Sequence, residues 1–338
     1  MNTTLASCAT RYGSLMIVLV AVGTPAPAGV ITTGDVSPGG AGTHQDPWFL
    51  RDDLYVGKLG RFGSLSITVG GQVVNTTGHI GYGTNSTGVA TVTGSDSQWN
   101  NSENLYVGNE GAGTLNVRYG GVVSNADGHI GYEADSTGVA TVTGANAQWN
   151  NSDDLWIGGN GSAAGGAGTL NLYDSGLATV AGTTKLWETG TVYLDGGKLT
   201  TGSFDNSDGG NFNFHDGTLT VNGAGGVFNP GVDDFSVNGN AADDAPHLVI
   251  ANTVTTTLAG DLTVGQTHPG FLSVESGGVV ANTRGYIGRW AGSTGEATVT
   301  GAGSQWNNHQ VIVGSSGTGT LNVTDGGVVA NTIGYIGR

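Results

Sequence analysis

Cysteine is all but missing: the one residue, Cys8, lies in an apolar segment near the N-terminus. No disulfide framework holds the rest of the chain, so backbone pairing and a packed core must. Basic residues are scarce as well. Ten lysines and arginines stand against 26 acids, a net charge of −16, and the basic footprint that nucleic-acid binding requires is absent. Such an acidic surface keeps a large protein soluble and can also collect divalent cations; solubility is the simpler reading. Proline contributes 7 residues and charged residues only 11%. The 64 glycines are too few and too irregular for collagen. They flank short β-branched runs such as Val89-Ala90-Thr91-Val92-Thr93, a pattern of many short strands and tight turns. Regularly placed Val, Leu, Ile and aromatic residues exclude disorder.

Residues 1–28 have the form of a secretory signal peptide: Arg11, an apolar run from Leu15 to Val22, and an Ala26-Pro27-Ala28 cleavage motif. The apolar run is too short to anchor in a bilayer, and no transmembrane segment is expected in the mature chain.

Internal repetition decides the fold. Gly113-Thr114-Leu115-Asn116-Val117, followed by Gly120-Gly121 and His129-Ile130-Gly131-Tyr132, recurs from Gly63 to Tyr82, from Gly270 to Gly288 and from Gly319 to Gly337. A second half carries Gly88 to Gly94 with Trp99-Asn100-Asn101, then Gly138 to Gly144 with Trp149, and Gly295 to Gly301 with Trp306. The period is 49 to 51 residues, and the likeness of the halves makes each one coil. Alternation places Leu115 and Val117 on one face and Asn116 and Arg118 on the other. The expected fold is all-β: a single elongated parallel β-helix, right-handed, with about two coils per repeat, in which stacking buries what one coil cannot. Roughly a dozen coils at about 4.8 Å each give a rod about 55 to 60 Å long.

The expected organisation is a capping segment over residues 29–53, regular repeats over 54–158, divergent shorter coils over 159–261 with a loop protruding at 229–246, and regular repeats over 262–338. Arg338 takes the repeat position of Arg289, leaving the last repeat half complete. The rod is expected to be monomeric or to associate through its ends.

Two motifs carry a family resemblance: V-G-x-x-G-x-G-x-L-x-V-x-x-G-G, and Y-I-G-x-x-x-x-S-T-G-x-A-T-V-T-G-x-x-S-x-W. The chain resembles the type V secretion and PEP-CTERM-associated repeats, closely over 48–158 and 262–338. The resemblance implies a bacterial surface passenger similar to autotransporter stalks, and it transfers no catalytic residue.

Site candidates are few. Trp99, Trp149 and Trp306 share one repeat position; they form either an exposed aromatic row for a surface polysaccharide or, the preferred reading, a core ladder with neighbouring asparagines satisfying backbone groups. Asp233, Asp234, Asp243 and Asp244 are the loop acids, with Asp153, Asp154, Asp205 and Asp208 as further carboxylates. A glycosidase needs two carboxylates at a set separation, and adjacent aspartates in a strand point apart. Those loop acids are also the candidate calcium ligands, but the Gly-Gly-x-Gly-x-Asp nonapeptide is missing; no other cofactor is expected. His79 and His129 occupy a position held by Tyr286 and Tyr335 in other copies, and His215, His247, His268 and His309 lack metal-ligand spacing. The reading is a non-catalytic structural or adhesive passenger or stalk, exported by a bacterium to the extracellular space, the cell surface or the outer membrane. The alternative is a polysaccharide-binding or polysaccharide-degrading β-helix.

Overall fold

A computed structural model describes residues 29–337; the signal-peptide segment and Cys8 lie outside them. The described chain is all-β, a parallel solenoid of about 12 turns. Each coil has three sides. In one regular coil they are Ala112–Arg118, Val122–Asn125 and Gly128–Ile130. Period-2 alternation turns Leu115, Val117, Val123 and Ile130 inward, where all are fully buried, and leaves Thr114 and Asn116 on the outer surface.

Stacking follows the half-repeat. Gly63 pairs with Gly88, Gly88 with Gly113 and Gly113 with Gly138, 25 residues apart each time. The next coil is longer because residues 160–166 loop out, closed by a bridge between Gly159 and Ala164. Later coils shorten to 20 residues, with Thr191 over Asn211 and Lys198 over Thr218.

Within 29–53, the stretch 29–44 caps the first coil, whereas Trp48–Phe49 already pairs parallel with Val73–Val74 as part of the stack. Gly29–Gly34 lies antiparallel against Phe62–Thr68, and Gly42–His44 pairs antiparallel with Gly29–Gly34. Reversing direction there stops the parallel stack from extending past it in register, one way of managing an open strand edge.

The expected protruding loop at 229–246 is not one loop. Phe228–Asn229 and Phe235–Val237 are strands, and Phe228, Phe235 and Val237 are buried. Phe235 and Val237 alternate around Ser236 as any coil side does, and the Phe235 ring packs edge-on to Phe228 at 5.3 Å. Only 230–234 and 238–246 remain irregular.

The divergent region also rotates the repeat. The first side of the N-terminal coils ends at Asn211–Phe214. The second side continues through Leu199, Leu219, Leu248, Leu272, Ala297 and Leu321 in unbroken register. The Gly-x-Leu-x-Val strands of the C-terminal repeats therefore sit on the side occupied by Val122–Asn125 in the N-terminal repeats. Equivalent repeat positions in the two blocks face different directions around the rod.

Candidate functional site

The three tryptophans are fully buried, so the exposed row is not what they form. Nor do they share a row. Trp99 and Trp149 lie on one side, both in register with Val123, whereas the one-side rotation moves Trp306 to the next, over Val280. Each indole N–H donates to an asparagine of the preceding coil: Trp99 to Asn75 Oδ1 at 2.7 Å, Trp149 to Asn125 Oδ1 at 2.7 Å and Trp306 to Asn282 Oδ1 at 2.6 Å. Asn75 and Asn125 in turn donate to Asn101 and Asn151 at 2.8 and 2.7 Å. A buried indole needs such an acceptor.

The aromatic row that the chain does have runs along the third side: Tyr55, His79, Tyr106, His129 and Trp156, in strict register. Successive ring centroids are 4.6 to 4.9 Å apart and nearly parallel. Tyr82 and Tyr132 close on it edge-first. A pyranose stacks on a ring face, and here the inner faces cover one another, while the Lys58 ammonium stands 3.7 Å from the Tyr55 centroid. The ladder is built for cohesion. In the C-terminal block the column reads Thr263, Tyr286, Ile312, Tyr335, and the Arg289 guanidinium replaces the flanking tyrosine, 4.2 Å from Tyr286.

Burial in the stack pushes His129 down from 6.5 to about 4 and lowers His79 too, although His79 is hydrogen-bonded to Asn109. Both rings are neutral at pH 7. Between pH 6.5 and about 4 the unfolded chain binds a proton at His129 that the native chain refuses, so stability rises with pH across that window. His129 thus contributes stability that is complete above pH 6.5 and lost as pH falls towards 4, by up to about 3 kcal/mol. In urea titrations at pH 7 and 4.5, His129→Phe should lose distinctly less stability than wild type. Equal losses would assign the acid sensitivity to other groups.

The acids are largely occupied as corner acceptors. Asp53 Oδ1 accepts the Thr77 amide, Asp127 Oδ1 that of Asp154, Asp154 Oδ1 that of Thr183 and Asp234 Oδ1 that of Asp261, at 2.6 to 3.2 Å. Asp244 Oδ2 accepts the amides of Asn240 and Ala241. Asp233 lines a surface cleft of about 400 Å³ with Ser207, Asn229 and Thr257; Asp243 is exposed in its turn. The sequence doublets are therefore not paired sites. Lys185 binds Asp205 at 2.7 Å and also Asp208. Burial raises the Asp205 carboxyl, but hydrogen bonds from Lys185 and Ser207 outweigh it and hold it below the ordinary carboxylate value. That group is a poor proton donor at neutral pH.

Among the described residues no three His, Cys, Asp or Glu side chains group as metal ligands. His247 bonds Ser273 Oγ at 2.8 Å and His268 bonds Thr267 Oγ1 at 3.1 Å; the isolated histidines do not converge. No family model, no curated protein and no solved structure matches the chain.

Proposed function

We propose that the chain is a structural or adhesive rod, exported by a bacterium and displayed at its surface as a passenger or stalk, working without catalysis. The observation that carries this reading is the commitment of its polar groups to the stack. Corner carboxylates accept backbone amides of the next coil, and the Asp205 carboxylate is held by a lysine. The signal-like N-terminus, the lack of thiols beyond Cys8 and the acidic charge support export. The resemblance to type V secretion and PEP-CTERM-associated repeats supports surface display. The partner on this reading is surface polysaccharide or another cell, met along the sides of the rod.

Fractionation of the native host with an antibody to the repeats, combined with protease shaving of intact cells, tests it. The expected result is an envelope signal that shaving removes. A signal wholly in the medium contradicts the stalk.

One observation favours the alternative of a polysaccharide-acting protein: in the cleft at Ser207, Asn229 and Thr257, the Asp233 carboxylate accepts no hydrogen bond among the described residues. That reading requires release of reducing ends from an acidic glycan, abolished by Asp233→Ala.

A further inference from the structure

Trp290 is 49% exposed, whereas the other six tryptophans are buried or half-buried. It stands at the corner Gly288-Arg289-Trp290-Ala291-Gly292-Ser293. In the N-terminal block the same corner reads Gly81-Tyr82-Gly83-Thr84-Asn85-Ser86 and Gly131-Tyr132-Glu133-Ala134-Asp135-Ser136. A corner that is neutral or acidic there is basic and aromatic here.

Arg289 is held in place with its donors free. Its guanidinium lies 4.2 Å from the Tyr286 ring centre and 5.2 Å from that of Trp290. Among the described residues no carboxylate pairs with it, and its N–H groups meet no acceptor. Arg284, on the strand of Tyr286, differs: Asp261 holds it at 2.8 Å. Stacking engages the flat faces of a guanidinium and leaves its in-plane N–H fork free for a carboxylate. The backbone beneath is fixed. The Trp290 amide donates to the Gln266 carbonyl at 3.0 Å, and the Ser293 hydroxyl donates to the Trp290 carbonyl at 2.7 Å. A receptor already in its bound form loses little order on binding.

The setting admits an anion. In a chain of net charge −16, residues 262–324 include only two acids, Glu275 and Glu296. Both lie on strands of a different sheet from Val279–Ile287, the strand that leads into the corner. Arg289 is the cation left uncompensated. A carboxylate alone would need only the guanidinium, but the indole beside it adds a flat apolar face about the size of a pyranose ring. Exposed Thr267 and Ser316 border the corner one coil to either side. A sugar ring that bears a carboxylate meets all of these groups, whereas Ala291 and Gly292 offer too little apolar side chain to enter a bilayer.

We propose that the Arg289–Trp290 corner is a binding site for an acidic saccharide, the guanidinium taking a uronate carboxylate and the indole stacking on the sugar ring. The partner class rests on the adhesive reading. Binding is measured on the purified chain and display by shaving of cells, so either can fail alone.

Calorimetric titration of the full chain with trigalacturonate and trimannuronate tests the site. Maltotriose is the neutral control, and hexaglutamate the acidic control without a sugar ring. At least one uronate should bind saturably at millimolar concentration or better, more weakly as salt is raised, and neither control should. Arg289→Gln and Trp290→Ala should each weaken binding by about tenfold or more. Arg289→Lys, which keeps the charge but loses the fork, should weaken it by less. Arg118→Gln removes the same charge from an exposed position in the N-terminal block and should leave binding unchanged. All four variants should keep the wild-type melting temperature within a few degrees. The site is overturned if neither uronate binds, or if binding is unchanged in Arg289→Gln or Trp290→Ala. It is equally overturned if Arg118→Gln weakens binding as much as Arg289→Gln, or if maltotriose or hexaglutamate binds as tightly as the uronates.

Discussion

Replacing Gly120 and Gly121 by valine should prevent the N-terminal repeats from folding cooperatively. Gly120 has φ of +87°, a conformation that a β-branched residue strongly resists. A Cβ on Gly121 would collide with the Val92 carbonyl oxygen of the coil below, and backbone in a packed stack has no room to retreat. Either change is severe, and together they should cost more than about 4 kcal/mol, the range reserved for gross steric or backbone conflict. In a stack where each coil touches only its neighbours, the damage should spread outward from one point. Hydrogen exchange should show lost protection over 87–143 and retained protection over 262–337. Wild-type protection throughout would contradict the stacking.

The second large effect concerns Trp149. Trp149→Ala removes a fully buried indole and leaves Asn125 Oδ1 without its donor. Cavity formation at a large aromatic costs about 3–5 kcal/mol, and the orphaned acceptor adds about 1–3 kcal/mol. Trp149→Phe keeps most of the ring and should lose chiefly the acceptor term. The urea midpoint followed by circular dichroism should therefore fall in the order wild type, Phe, Ala, with the Ala step the larger. Equal values for all three would mean that the indole contributes nothing to the core.

The coil was legible in the sequence because its two signals, spaced glycines and period-2 apolar residues, act locally. Gly63, Gly88, Gly113 and Gly138 fall at one spacing, and a one-residue slip would turn Leu115 and Val117 outward. The burial of Trp99, Trp149 and Trp306 follows from the same alternation. The aromatic ladder is hidden in the sequence because its members alternate between halves of the repeat: His79 and His129 in one, Tyr106 and Trp156 in the other. Aligning the halves instead of the whole repeat would have set Tyr55, His79, Tyr106, His129 and Trp156 in one column.

The rotation between blocks left no local mark. It arises from the summed lengths of the irregular coils between Asn160 and Pro269, and no single residue there states which side the next Gly-x-Leu-x-Val strand will take. The strand inside 229–246 is hidden for a related reason, since two aspartate pairs and the prolines Pro230 and Pro246 surround the short apolar alternation of Phe235 and Val237. The site acids failed as pairs because a corner aspartate has a nearer partner, the backbone amide one coil on.

Cysteine cross-linking tests the stacked and rotated solenoid most directly, in a chain whose native Cys8 is changed to serine. Thr220 stands opposite Val249, and Val249 opposite Ser273, strand neighbours within the Cα separation a disulfide spans. The double variants Thr220→Cys/Val249→Cys and Val249→Cys/Ser273→Cys should each form an intramolecular disulfide under mild oxidation, carrying the second side of the N-terminal coils into the first strand of the C-terminal repeats. If the second pair stays reduced while Asn213→Cys/Ser273→Cys closes, the rotation is wrong; if none of the three closes, so is the stack.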